Sequence, residues 1–185
     1  MPKISLPTRT IWSTVLCVKV DIQGNDRFCV EDLDPQQLPQ FISVSEVSLL
    51  ALLRHCGFKR FKCITQSHFL PLQLPLIPEA SRLQRAEWLR QSRNPLIRVL
   101  RKLGGRHWIE RQLRGIRTRD GWLFPSGSSG PFGDDLLGRW LSFDELDKTY
   151  SEFLRMRQES TRSFLWAPEG ILSNPFHVDV HARRE

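Results

Sequence analysis

The residue of this chain best suited to bind a small anion is Arg98, in the stretch of residues 96–113. Apolar and basic residues alternate imperfectly from Leu96 to Leu103, which is compatible with a β-strand. The pair Gly104-Gly105 supplies the positive φ angles of a tight turn, so the sequence predicts a β-hairpin over residues 96–113. A strand would hold the Arg98 guanidinium rigidly, and its planar fork matches a carboxylate bidentately. The alternative is that Arg98 is one of many solvated surface arginines.

A second pattern near the end of the sequence has the spacing of a metal-binding strand edge. His177, Asp179 and His181 alternate with other residues, so on a strand all three would project to the same side. No cluster of Cys or Glu lies nearby in the sequence, so we interpret the pattern as an exposed polar face near a frayed chain terminus and predict no metal. No Gly-x-Ser-x-Gly motif is present, which disfavours a serine hydrolase.

The composition indicates a globular protein with anionic partners. The chain has 185 residues, which predicts one domain over 1–185, and its formal net charge is +7. Four cysteines lack the Cys-x-x-Cys spacing, and we interpret them as reduced core residues (Cys17, Cys29, Cys56 and Cys63). No secretory signal and no membrane-spanning run is recognised, so we expect a cytoplasmic protein.

Basic and aromatic residues alternate after the predicted hairpin. The basic ones are Arg111, Arg114, Arg117 and Arg119, and Trp122 follows them. A groove for single-stranded nucleic acid uses these residue types, because cations bind phosphates and aromatic rings stack on bases. An arginine-rich surface of another kind has the same composition, and no established RNA-binding signature occurs.

The elements before the hairpin are predicted as a mixture of strands and helices. Residues 10–20 form a strand or a short helix, and residues 27–30 form a return strand after a turn. Asp34-Pro35 starts a short helix, and a second helix runs from Ser43 or Ser45 to Gly57, which caps it. Residues 58–69 then form a strand. A proline-rich connection and a helical segment at residues 81–90 follow.

The elements after the hairpin complete an α+β pattern. Ser142 and Glu145 have the spacing of a capping box, which predicts a helix over residues 143–156. Weak alternation at residues 163–166 and 175–181 predicts two final strands. Together these elements predict an α+β fold with a single antiparallel sheet and helices packed on it.

The order of several short motifs resembles the chorismate pyruvate-lyase family. The resemblance covers about residues 33–180, and its last strand has Asp179 one position away from the family's glutamate. Trp88-Leu89-Arg90 competes with Leu96-Ile97-Arg98 for the match to the family's arginine. The matching motifs are Leu33-Asp34-Pro35-Gln36, Leu74-Pro75-Leu76-Ile77-Pro78, Ser81-Arg82, Leu96-Ile97-Arg98 with Gly105 and Trp108, and Leu137-Gly138-Arg139-Trp140-Leu141.

The resemblance implies a chorismate-lyase-like fold and an enzyme that eliminates pyruvate from chorismate. The product is 4-hydroxybenzoate, a precursor in ubiquinone-type quinone biosynthesis. Arg98 would bind a substrate carboxylate, Asp179 would handle a proton or a hydrogen bond, and Leu137 with Gly138 would lie against the ring carboxylate. Aromatisation of the ring drives the reaction, so no cofactor or metal is expected. The expected state is a monomer whose partner is the small substrate.

Two alternatives to the lyase remain open. The chain could be a basic nucleic-acid-binding module, or a non-catalytic domain of the same fold that binds an aromatic acid.

Overall fold

The computed structural model describes residues 16–22, 24–66, 69–75, 77–118, 120–125, 128, 130–159 and 178–185. Six strands are described: β1 (Cys17–Val20), β2 (Phe41–Val44), β3 (Arg60–Thr65), β4 (Gly115–Arg117), β5 (Leu123–Pro125) and β6 (Val178–Arg183). Six α-helices accompany them: α1 (Asp26–Glu31), α2 (Leu50–Cys56), α3 (Pro78–Gln91), α4 (Pro95–Leu100), α5 (Arg106–Leu113) and α6 (Phe143–Glu159). Short 3₁₀ turns occur at Val47–Leu49 and Gly133–Asp135.

The main sheet has four strands in the order β1-β2-β6-β3. β6 is antiparallel to both of its neighbours, but β1 and β2 are parallel. The predicted α+β class is confirmed, whereas the sheet is mixed, and β4 and β5 form a separate antiparallel pair. The parallel pair arises because helix α1 carries the chain back across the sheet between β1 and β2.

The return strand predicted at residues 27–30 is wrong, because these residues belong to α1. The Asp26 carboxylate at the start of α1 accepts hydrogen bonds from the backbone N–H of Ile22 at 2.8 Å and of Ser45 at 3.0 Å. The Ser45 hydroxyl donates to the same carboxylate at 2.6 Å. This fully buried carboxylate ties the beginning of α1 to the end of β2 and so fixes the crossover.

One face of the main sheet supports the principal core. The buried apolar residues of the four strands pack there with α2 and α6 (Val20, Ile42, Val44, Phe61, Cys63, Val178, Val180, Ala182, Leu50, Leu53, Leu146 and Phe153). A smaller cluster lies on the second face, around Ile64, Phe69 and Leu136. The sheet is therefore covered on both sides.

The hairpin predicted over residues 96–113 is also wrong. The Asn94 side chain caps α4 by accepting from the backbone N–H of Leu96 at 2.9 Å, and Pro95 occupies the first helical turn. A wide turn over Arg101–Gly105 then leads into α5, with Gly104 at φ +105°. Buried Ile109 faces inward from α5, and Leu113 packs near Leu83 of α3. The glycines do make a turn, but it joins two helices.

Several other predictions are confirmed in part. Helix α6 begins after Ser142, and β3 occupies part of the predicted 58–69 strand. Gly57 ends α2 with φ +113°, but the predicted start of that helix is wrong, because Ser43 lies in β2 and α2 begins at Leu50. Asp34-Pro35 starts no helix: the Asp34 carboxylate instead accepts from the backbone N–H of Gln36 at 2.9 Å, which makes a turn.

The strand predicted at 163–166 lies outside the described residues. Within the described part of the chain, no helix is long and apolar enough to cross a membrane.

Candidate functional site

One polar side chain from each main-sheet strand lies in a row across the second face of the sheet. Lys19 pairs with Ser43, and His181 pairs with both Ser43 and Lys62. Residues paired across neighbouring strands project to the same face, so these four side chains share one side of the sheet. Their sequence neighbours are apolar and project into the principal core on the other side.

A segment before α6 covers this polar row. The Lys62 ammonium donates to the Leu136 carbonyl at 2.8 Å and lies 4.5 Å from the centre of the Trp140 ring. The Phe132 ring centre lies 5.8 Å from the Lys19 ammonium and 6.1 Å from the His181 ring centre. Ser43, Lys62 and His181 are consequently 0%, 3% and 5% exposed. The row is a buried polar cluster, in which ionisation is sensitive to its surroundings.

Burial changes the ionisation of two members of this region. Burial, together with the nearby ammonium groups of Lys19 and Lys62, lowers the pKa of His181 to about 3. The imidazole is therefore neutral at pH 7. Burial also raises the pKa of Asp179 on β6, although its hydrogen bond from Gln66 at 2.7 Å and its ion pair with Lys19 at 3.5 Å oppose that rise.

The Ser43 hydroxyl has no hydrogen-bond partner among the described residues. Titratable groups with shifted pKa values gather at active sites, and they also occur in purely structural networks. The polar row is therefore one candidate site. Within the described residues, no group of His, Cys, Asp and Glu is arranged to hold a metal ion.

A second candidate site is an open cleft of about 1020 Å³ between the end of α3, α4, the wide turn and α5. Ile109, Leu113 and Glu110 contribute to its wall, and the Glu110 carboxylate accepts from the Arg106 guanidinium at 2.7 Å. Six cationic side chains line this first cleft: Arg90, Arg98, Arg101, Lys102, Arg106 and Arg114.

A smaller cleft of about 340 Å³ also borders α5. Its cationic side chains are Arg82, Arg111, Arg114 and Arg117, and Leu137 also lines it. Arg114 lines both clefts, so the two form one continuous basic surface around α5. We call the surface made of these nine cationic residues the basic surface.

The predicted site residues do not come together at one cavity. Arg98 lies on exposed α4 and lines the first cleft together with its competitor Arg90, whereas Asp179 is not among the residues of that cleft. Leu137 is half-buried in the smaller cleft. Gly138 occupies an exposed turn at φ +81°, close to Pro71 and Gln73. His181 and Asp179 share a sheet face, as their spacing predicts, but the exposed face predicted for them is wrong, because both side chains are buried and β6 lies inside the sheet. His177 lies outside the described residues.

Two signals in the sequence identify residues that the motif search missed. Each main-sheet strand has one polar residue between two apolar ones, in Val-Lys-Val, Ile-Ser-Val, Phe-Lys-Cys and Val-His-Ala. That alternation indicates strands with one polar face, and it identifies Lys19, Ser43 and Lys62 in addition to His181, which its own spacing had already singled out. The other signal is the distribution of charge along the chain, since residues 82–117 contain eleven of the 27 Lys and Arg residues.

Comparison with known proteins identifies no relative in which either site could be examined. The chain matches no protein-family model, no curated protein and no solved structure.

Proposed function

We propose that this protein binds nucleic acid through the basic surface around α5. The observation that carries the proposal is the segregation of charge. Residues 82–117 contain eleven basic and two acidic side chains, a formal charge of +9, while the remaining 149 residues have 16 basic and 18 acidic side chains and carry −2. The cationic charge of the molecule is thus concentrated on the segment that forms the two clefts.

The chemistry of the clefts suits phosphodiesters. Arginine forks bind phosphate oxygens bidentately, and each phosphate contact releases condensed counterions. The arginines named for the clefts are mostly exposed, so binding requires little desolvation of buried charge. Because Arg114 lines both clefts, a strand of repeating phosphates is able to contact one cleft and continue into the other.

Exposed tryptophans favour single strands over duplexes. Trp108 on α5 is 51% exposed, and Trp122 in the β4–β5 connection is 74% exposed. Large aromatic rings at the surface of a basic region stack on unpaired bases, which a duplex keeps in its interior. The expected ligand is therefore single-stranded, without a preferred base sequence.

The proposal is tested with a fluorescent 20-nucleotide single strand and the matching duplex, using fluorescence anisotropy. A variant with Arg98, Lys102, Arg111 and Arg114 changed to Gln removes cations from both clefts: two from the first cleft, one from the smaller cleft, and Arg114, which both clefts share. At about 100 mM salt we expect it to bind the single strand roughly 10- to 100-fold more weakly than the parent chain.

The matched control removes the same charge elsewhere. Arg27, Lys59, Arg60 and Arg184 are exposed and lie outside residues 82–117, so changing all four to Gln should weaken binding by no more than about threefold. Equal weakening by both variants would mean that net charge alone attracts the strand. Absence of binding by the parent chain at low salt would reject the proposal.

A second candidate function is the chorismate-type lyase, and one observation favours it. The Asp179 carboxyl is buried with a raised pKa beside the Lys19 ammonium, which pairs a proton-handling group with a cation. This arrangement would assign the carboxylate-binding role to Lys19 instead of Arg98. The test is incubation with chorismate, followed by absorbance of 4-hydroxybenzoate and assay of pyruvate.

Under the lyase hypothesis, Asp179→Asn should lose the activity while Arg98→Gln retains it. If the parent chain forms product and the Asp179→Asn variant forms it equally well, Asp179 is excluded from catalysis. No product from the parent chain would remove the lyase hypothesis and would leave the nucleic-acid proposal untouched.

A further inference from the structure

Helix α4 and the turn after it expose a continuous apolar stripe. Leu96, Val99 and Leu100 have the spacing i, i+3 and i+4 within α4, which places them on one helical face, and Leu103 follows three residues later in the wide turn. Their exposures are 73%, 53%, 61% and 78%, so no described part of the chain covers them. Four large apolar side chains exposed together mark an interaction site more often than four scattered ones do.

The opposite face of the same helix is basic. Arg98, Arg101 and Lys102 are about half a helical turn away from the centre of the stripe, and they line the first cleft. The stripe residues do not line that cleft. The segment is therefore amphipathic, with one cationic face and one apolar face, and the proposed nucleic-acid site accounts only for the cationic face.

The surrounding charge indicates which partner covers the stripe. A second copy of this chain would bring two segments of formal charge +9 against each other, which opposes association. An anionic lipid surface complements both features, because its acyl region accepts leucine side chains and its headgroups attract arginine and lysine. The long stems of Arg98 and Lys102 are able to extend from the helix towards headgroup phosphates.

We propose that the stripe formed by Leu96, Val99, Leu100 and Leu103 docks α4 onto an anionic membrane surface. The helix lies in the plane of the interface, with the stripe among the acyl chains and the cations at the headgroups. This binding is peripheral, since α4 has only six residues.

The test is co-sedimentation of the protein with vesicles of phosphatidylcholine alone or with about 30% phosphatidylserine. We expect the parent chain to bind the mixed vesicles at least tenfold more strongly than the neutral ones. Changing Leu96, Leu100 and Leu103 to Ser should reduce binding to the mixed vesicles by at least tenfold. These side chains are exposed, so circular dichroism should show an unchanged fold.

A matched control variant changes three exposed apolar residues elsewhere to Ser. Leu16, Ile22 and Phe28 are 63%, 51% and 63% exposed, and changing them should leave vesicle binding within about twofold of the parent chain. The stripe variant should also bind the single-stranded oligonucleotide as the parent does, which separates this inference from the proposed function.

Three results would overturn the inference. The stripe variant could sediment with mixed vesicles as strongly as the parent chain. Neutral and anionic vesicles could bind the parent equally, which would exclude charge recognition. Light scattering could show that the parent chain is a dimer which the stripe variant converts to a monomer, and a second copy would then be the occupant.

Discussion

His181 is the single residue whose ionisation should be most visible in the stability of the fold. Its neutral ring is buried between two lysines, with a pKa of about 3 against an ordinary value of 6.5. Below pH 6.5 the unfolded chain binds a proton at this ring and the folded chain does not. Its contribution to stability is therefore complete above about pH 6.5 and is lost as the pH falls towards 3.

We predict that the free energy of unfolding falls by about 2 kcal/mol between pH 7.5 and pH 5 through this residue. Urea denaturation at a series of pH values measures the fall. In His181→Asn most of the dependence should disappear, although the variant is less stable at every pH. His107→Asn is the control, because this histidine is exposed. An unchanged pH dependence in His181→Asn would show that the ring is protonated in the folded chain.

Single residues also show where sequence reasoning succeeded and failed at the candidate sites. The spacing of Asp179 and His181 correctly predicted a shared strand face. The partners of that face come from β1, β2 and β3, and pairing between distant segments cannot be derived from local alternation. For Arg98 the sequence predicts a strand where the structure has a helix, because the run from Leu96 to Leu103 fits both periods and a short amphipathic run does not distinguish a strand from a helix.

Among the elements, α6 is the one whose starting position is most clearly determined by its local sequence. The Ser142 backbone N–H donates to the Glu145 carboxylate at 2.8 Å, and the Glu145 backbone N–H donates to the Ser142 hydroxyl at 3.3 Å. This reciprocal pair is a capping box. Two residues three apart therefore sufficed to locate the beginning of a 17-residue helix.

We predict that Ser142→Ala lowers the free energy of unfolding by about 1 kcal/mol, because the Glu145 N–H loses its acceptor. Urea denaturation at pH 7 measures the change. Ser151→Ala, in the exposed middle of the same helix, should change stability by less than about 0.5 kcal/mol. Equal effects at the two positions would mean that the capping bonds contribute nothing beyond helix propensity.

The segment from α4 to α5 illustrates what local signals leave undetermined. Asn94-Pro95 contains a helix-start signal, since Asn94 accepts from the Leu96 N–H and Pro95 fits the first turn. A Gly-Gly pair terminates a helix as readily as it turns a hairpin. Packing of α5 against α3, where Leu113 lies near Leu83, decides in favour of helices, and that tertiary contact is invisible in the sequence.

At the scale of the whole molecule, the uneven distribution of charge should control nucleic-acid binding. Residues 82–117 carry the net positive charge of the chain, so nucleic-acid binding should weaken steeply as salt is added. For about five phosphate contacts on a single strand, we predict that log K falls with log salt at a slope of about −3.5.

Fluorescence anisotropy at salt concentrations from about 50 to about 300 mM measures this slope, which reports the release of counterions. The variant with four cleft cations changed to Gln should have a shallower slope, reduced by about 0.7 for each lost contact. A slope near zero for the parent chain would show that phosphate contacts do not dominate the affinity.

The central position of β6 determines when the sheet is able to form during synthesis. β6 pairs with β2 and β3, yet it follows both of them by more than a hundred residues along the chain. Until residues 178–183 leave the ribosome, β2 and β3 have no strand to join them, and each presents an unpaired edge. Of the described strands, the one translated last thus completes the middle of the sheet. Folding of the core should wait for the synthesis of β6, and nascent chains stalled before β6 should be exposed to aggregation and proteolysis.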